Sequence, residues 1–280
     1  MISLRFGCHL SIKEGYFGAA KSADKIGAAC FQYFPKNPRS LSVKNFNKEE
    51  AHECKEFCRE HDIISVAHTP YPTNLTPPEN KKDIILQSLK NDLEIAEACG
   101  SLGVVVHFGS SISKTDTLAG YQLMIAMLNA VLDNWEGKTK ILIENNAGKP
   151  GSLGTTIEEL VMVRSLCNSP EKIGFCLDTC HAFASGLWAT QSTKEFLEKG
   201  SEKGYFQELK AIHFNNSKYP ANSGVDRHAN IFSGGYIKEE EFTELLNDSV
   251  IGKLPLILET PSDEGITHEH EVNCLKQKWG

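Results

Sequence analysis

Nine side chains able to hold divalent metal recur along this sequence, and six of them close short apolar, β-prone runs. His68 ends ISVAH, His107 ends GVVVH, Glu144 ends KILIE, Asp178 ends IGFCLD, His213 ends LKAIH and Glu259 ends LPLILE. Three more stand close behind: His181 three residues after Asp178, and Asp226 and His228 as an Asp-x-His pair. The inventory is five imidazoles and four carboxylates, nitrogen and oxygen donors that suit zinc and, less selectively, manganese or iron. One such residue at a strand end is ordinarily a satisfied polar group, but four carboxylates converging without cations would be costly. Nine donors exceed the needs of one tetrahedral ion, so the set predicts a multinuclear site with positions open to water and substrate oxygens. Three divalent ions against four carboxylates would leave about +2 in the pocket, which favours an anion such as a phosphodiester.

For these residues to meet, the elements carrying them must be arranged around one face. Eight short apolar runs alternate with longer amphipathic stretches: Leu4 to His9, Ala29 to Phe34, Ile63 to His68, Gly103 to His107, Lys140 to Glu144, Ile173 to Asp178, Leu209 to His213 and Leu254 to Glu259. The clearest helical patterns between them are Lys81 to Cys99, Leu118 to Trp135 and Thr156 to Leu166. Repeated βα units of this kind predict an α/β fold, a single (β/α)8 TIM barrel over residues 1–280. In such a barrel the strand C-termini converge on one face, so residues 34 to 46 positions apart in sequence become neighbours. No linker divides the chain, and the longest irregular stretch, Asn215 to Tyr236, has the length of a functional loop.

The bulk composition fits this reading. With 280 residues, 40% of them hydrophobic and 23% charged, the chain can bury a sizeable core. The start MISLRFGCHLS has no signal-peptide pattern and no apolar run approaches a membrane span, so a cytoplasmic protein without membrane contact is expected. Nine cysteines without a CxxC pair read as buried thiols, Cys54 and Cys58 sharing a helix face, and Cys180, beside His181, is the one expected to approach the site. A net charge of −7 excludes a broad basic nucleic-acid surface, although three divalent ions would bring the total to about −1. The glycine-rich GKPGSLGTT lacks phosphate-loop spacing.

The segments GCHLS, AHTPY, VVHFGSS, LIENNAG, CLDTCHAFASG, AIHFNNSK, VDRHANI and LILET, in this order and spacing, resemble the endonuclease IV family along nearly the whole chain. The resemblance implies a monomeric DNA-repair endonuclease that cuts duplex DNA on the 5′ side of abasic sites, leaving a 3′-hydroxyl and a 5′-deoxyribose phosphate, with removal of 3′-blocking groups as a further activity. It implies three zinc ions, manganese or iron being alternatives at one position, held by His68, His107, Glu144, Asp178, His181, His213, Asp226, His228 and Glu259. Glu144 would bridge two ions, with Glu144 and Glu259 the catalytic carboxylates. Arg39 in FPKNPRS and Tyr71 and Pro72 in AHTPYPTNL fall where the family inserts side chains into DNA to fill the gap left by an extruded nucleotide.

This chain departs from the family at Pro72, where leucine is familiar, at Phe108 in HFGS, where HPGS is usual, and at Asn216 in HFNNSK, often aspartate. None of the three is an expected ligand. His9, at the end of the first strand, is a candidate for supporting the site or a structural histidine. Two other functions compete: a metal-dependent sugar isomerase or epimerase of the related barrel superfamily, and a DNA-binding or metal-sensing protein without catalysis, which the complete ligand set opposes.

Overall fold

The computed structural model describes residues 4–188, 192–262 and 265–280. Eight parallel strands form a closed barrel: β1 (Arg5–His9), β2 (Cys30–Tyr33), β3 (Ile64–His68), β4 (Gly103–His107), β5 (Lys140–Glu144), β6 (Ile173–Asp178), β7 (Leu209–His213) and β10 (Pro255–Leu258), with β10 pairing both β7 and β1. The two-residue strands β8 (Asn216–Ser217) and β9 (His228–Ala229) form an antiparallel pair within the loop after β7. Helices α1 (Gly15–Lys25), α2 (Lys48–Glu60), α3 (Lys82–Ala98), α4 (Ala119–Leu132) and α5 (Ile157–Leu166) follow the first five strands. Then come α6 (Thr179–Ser185), α7 (Thr193–Glu202), α8 (Glu239–Leu246) and α9 (His268–Trp279). This is the (β/α)8 TIM barrel that the alternation predicts.

Local chemistry sets the helix ends. Asn47 accepts from the backbone N–H groups of Glu49 and Glu50, and Thr156 and Thr267 cap α5 and α9 in the same way. Helix α4 stops at Leu132, short of the Trp135 expected from its apolar pattern, because Asn134 takes a left-handed φ of 59°. Cys54 and Cys58 lie buried on one face of α2, as expected of core thiols.

Strand geometry then explains where the site arises. Side chains alternate across a strand, so positions i and i+2 face the same way. The barrel interior is plugged by Cys30, Val66, Val105, Leu142, Cys176, Ala211 and Ile257. Two residues further along each strand stand Gln32, His68, His107, Glu144, Asp178, His213 and Glu259. The polar set is therefore the next inward step above an apolar floor. On β1 the corresponding pair is Gly7 and His9. A Cβ at Gly7 would lie 1.7 Å from the carbonyl oxygen of Cys30, so only glycine fits there.

Candidate metal centre

The carboxylate of Glu144, buried at the end of β5, is the hub of the cluster. Its Oε2 lies 3.4 Å from His107 Nδ1 and 3.6 Å from His68 Nε2, and its Oε1 lies 3.0 Å from His213 Nδ1. His213 Nδ1 is also 3.2 Å from Glu259 Oε2. Asp178 caps α6: one oxygen accepts from the His181 N–H at 2.7 Å, while the other lies 3.4 Å from His228 Nε2. A strand end running directly into a helix N-terminus thus places Asp178 and His181 on the same side. Asp226 reaches in from the loop after β7, its Oδ1 3.2 Å from His181 Nε2 and 3.6 Å from His228 Nε2.

Donor atoms within 4.8 Å of one another define three overlapping groups: His68, His107 and Glu144; Glu144, Asp178, His213 and Glu259; and Asp178, His181 and His228. All nine sequence-predicted donors thus converge, eight in these groups and Asp226 at their half-exposed rim. Backbone carbonyls orient three of the imidazoles. His68, His181 and His228 place Nδ1 at 2.8, 3.0 and 3.2 Å from the carbonyl oxygens of Thr69, Asn145 and Glu259. A carbonyl only accepts, so each Nδ1 carries a proton and each Nε2 is directed at the pocket. His213 is turned the other way, its Nε2 held at 2.7 Å by Gln32 Oε1 and its Nδ1 left for the carboxylates.

Buried Glu144 Oε2, His181 Nε2 and His228 Nε2 have no well-aligned hydrogen-bond partner. Stranded acceptors and imidazole nitrogens facing one another fit a cation between them and are unfavourable without one. The electrostatics agree. Burial raises the Glu144 carboxyl, yet His107, His213 and His181 outweigh it and hold the group well below the usual range. Burial also raises the partly exposed Glu259 carboxyl, but His213 and His228 bring it down to about 2. Burial disfavours the charged forms of His181 and His213, but surrounding acidic groups, Asp178 first for His181 and Cys176 first for His213, raise both well above ordinary imidazole.

Several residues that the sequence did not single out do the holding. The Gln32 amide donates to Glu259 Oε1 at 2.7 Å and lies 3.1 Å from His9 Nδ1, which makes His9 a support of the site at one remove. Asn215 donates to Asp178 Oδ2 and accepts from the Glu259 N–H, both at 2.8 Å. Asn145 exchanges hydrogen bonds with the backbone of Asp178. Buried Glu271 of α9 accepts from Thr260, Asn230 and the Ile231 N–H, tying together the segments that follow Glu259 and His228. Cys180 approaches the centre as expected, since Asp178, His181 and Asp226 all act on its thiol, but it is not a donor. Its thiol, pushed up to about 12 by burial, donates to the Arg227 carbonyl and joins none of the donor groups. Cys176, directly below Asp178 in the barrel, also reaches the site, through His213.

The centre opens into a cavity of about 310 Å³ whose wall includes Phe34, Tyr71, Thr260 and His268, and an adjoining groove of about 430 Å³ shares Tyr71, His107, His181 and Asp226 with it. Tyr71 is 69% exposed, sits in a turn closed from Thr73 N–H to the Pro70 carbonyl, and packs edge-on against Phe34. Pro72 is exposed along the groove, and Arg39 is exposed in the loop after β2.

Residues 20–278 match the family model of xylose isomerase-like TIM barrels, which fixes the fold without separating nucleases from sugar isomerases. A probable endonuclease 4 from Symbiobacterium thermophilum is 38% identical over 270 residues, covering 96% of this chain and 97% of the relative. The chain belongs to the endonuclease IV family. Among solved structures, endonuclease IV from Thermus thermophilus superposes with a TM-score of 0.86 at 27% identity, covering 98% of both chains. A D-tagatose 3-epimerase-like protein reaches 0.70 at 17% identity, a likeness of fold alone.

Two departures from the usual endonuclease IV segments have structural accounts. Phe108 donates its N–H to the Glu144 carbonyl at 3.0 Å, a bond that proline cannot make, and its ring lies where a Cβ on Gly154 would come within 2.3 Å. Asn216 donates to the carbonyls of Ile231 and Ile237 at 3.0 Å and accepts from the N–H groups of Ser217 and Ile237. It organises the loop after β7 and touches no donor of the centre.

Proposed function

We propose that this chain is a metal-dependent hydrolase of DNA repair, cleaving the phosphodiester on the 5′ side of abasic sites in duplex DNA and clearing blocked 3′ ends. The observation that carries this reading is the convergence of nine nitrogen and oxygen donors, with unpartnered buried atoms between them, in a chain related over its whole length to proteins named endonuclease 4. Three zinc ions would be held by His68, His107 and Glu144; by Glu144, Asp178, His213 and Glu259; and by His181, Asp226 and His228, manganese or iron being possible at one of these positions. When bound, they supply Lewis acidity toward phosphodiester oxygens and water. Residues 1–280 act as one domain, a cytoplasmic monomer in this reading.

The chain's own residues supply position and exclusion. Glu144 belongs to two donor sets and fixes their separation. Gln32 and Asn215 keep His213, Asp178 and Glu259 aimed, since partners behind a ligand hold its tautomer and angle. Selectivity for damage would come from the low cost of extruding a nucleotide that has lost its base, with Arg39, Tyr71 and Pro72 meeting the duplex around the gap.

The test is incubation of the purified protein with a duplex oligonucleotide carrying one abasic site, with and without brief chelator treatment and added magnesium. A single cut 5′ to the lesion, without added magnesium, is the expected result. A strict magnesium requirement would remove the trinuclear assignment. One manganese per chain with activity on a free ketose would favour the sugar isomerase reading.

A further inference from the structure

The loop after β2 carries exposed Arg39 in a turn and is irregular from 34 to 47, the kind of segment that is ordinarily mobile. Here it lies against a buried polar stripe on α3. Ser88, Asn91 and Asp92 are spaced i, i+3 and i+4, so they share one helix face, and all three are buried. The ammonium of Lys36 lies 3.0 Å from Asp92 Oδ1 and donates to the Ser88 carbonyl at 2.8 Å, with the two charged side chains 3% and 0% exposed. Burial pulls Lys36 down and pushes Asp92 up to about 7, as a desolvated pair should behave.

The other end of the loop is held by the same face. Asn91 accepts from the Lys44 N–H at 2.8 Å and donates to the Lys44 carbonyl at 3.1 Å. The Lys44 ammonium donates to the Tyr16 hydroxyl at 2.7 Å, and that hydroxyl donates to the Pro35 carbonyl at 2.7 Å, closing the loop's two ends on each other. Between the anchors, Asn37 accepts from the Arg39 N–H, and the Pro38 carbonyl accepts from the Tyr71 N–H at 2.8 Å, which joins this loop to the turn bearing Tyr71.

A buried ion pair seldom adds stability over apolar residues of the same size, so its presence is better explained by the one arrangement it enforces. We propose that Asn91, Asp92 and the backbone carbonyl of Ser88 form a clamp that grips the loop through Lys36 and Lys44 and thereby fixes Arg39 and Tyr71 where they meet damaged DNA. The four side chains at its centre, Lys36, Lys44, Asn91 and Asp92, are positioning residues. This inference rests on the reading of Arg39 and Tyr71 as DNA contacts. Its physical content is preorganisation: a loop ordered before binding does not lose that freedom on binding.

The experiment uses the full chain, metal-replete, with two independent variants: Asn91→Ala, which opens the Lys44 end, and the double change Lys36→Met with Asp92→Leu, which removes both charges together. Amide hydrogen exchange over residues 37–43, zinc content, and KM and kcat on an abasic duplex are measured, with Arg39→Ala as reference. Both clamp variants should exchange faster in that segment and raise KM by about 5- to 10-fold with kcat and zinc content little changed. Arg39→Ala should raise KM without faster exchange, and adding Asn91→Ala to it should raise KM little further. Unchanged exchange in both variants, or faster exchange with unchanged KM, would overturn the clamp. If one variant does not fold, the other still decides. Failure of the wild type to cut the duplex would overturn the functional reading and the clamp's role in recognition, whereas exchange would still report whether the loop is held.

Discussion

At the scale of single residues, the centre is a balance between carboxylates and imidazoles, and removing a hub differs from removing a rim residue. Glu144→Ala should abolish cleavage and lower metal content while circular dichroism stays close to wild type, because the apolar floor of the barrel lies one inward step below it; wild-type turnover in that variant would disprove the bridging role. The raised pKa values of His181 and His213 carry a sign. In the metal-free protein both rings hold their protons more tightly than ordinary imidazole, so a metal must compete with protons for them and its affinity should rise with pH. Without metal the same shifts have the opposite effect on folding: their stabilisation is complete at low pH, below the unfolded imidazole value, and is lost as pH rises through the raised values. Calorimetric titration of zinc into apoprotein, in buffers of differing ionisation enthalpy, should detect proton release, and no release would contradict these shifts. Tyr71→Ala should keep its full metal content yet bind an abasic duplex about 5- to 150-fold more weakly, the value of one lost stacking contact. Fluorescence anisotropy against undamaged duplex checks it, and unchanged discrimination would remove this turn from recognition.

At the scale of elements, the strands were legible because each is a short apolar run bounded by polar residues, and their observed limits differ from the sequence reading by no more than one residue at an end. The donors were legible for the same reason, since a histidine or carboxylate two residues beyond a core valine or leucine must point inward at the barrel mouth. Gln32, Asn145 and Asn215 were not. An amide is an ordinary residue type, and the Gln32 partners His213 and Glu259 lie 181 and 227 positions away, a juxtaposition that only barrel closure reveals. The loop after β7 depends on an amide in the same way. Asn216→Asp should lower stability by about 1–3 kcal/mol and impair the positions supplied by Asp226 and His228, because a carboxylate cannot donate to the Ile231 and Ile237 carbonyls. Thermal denaturation and zinc counting check this, and an unchanged melting temperature would show that the loop finds another arrangement.

At the scale of the whole molecule, the centre joins strands from β3 to β10, so metal should brace the barrel as well as serve chemistry. Brief EDTA treatment should leave activity intact, because buried ligands slow metal loss, whereas prolonged chelation should lower the melting temperature together with activity. A melting temperature indifferent to metal would confine the ions to chemistry. The order of the donors along the chain has a further consequence. The strand whose pairing with β1 closes the barrel, β10, is also the one that brings in Glu259, the last donor to leave the ribosome. A nascent or truncated chain ending before it therefore has neither a closed wall nor a complete ligand set. On the proposed function, a chain truncated before Pro255 should therefore neither hold the full metal complement nor nick an abasic duplex, and cleavage by such a truncation would show that competence does not need the final strand.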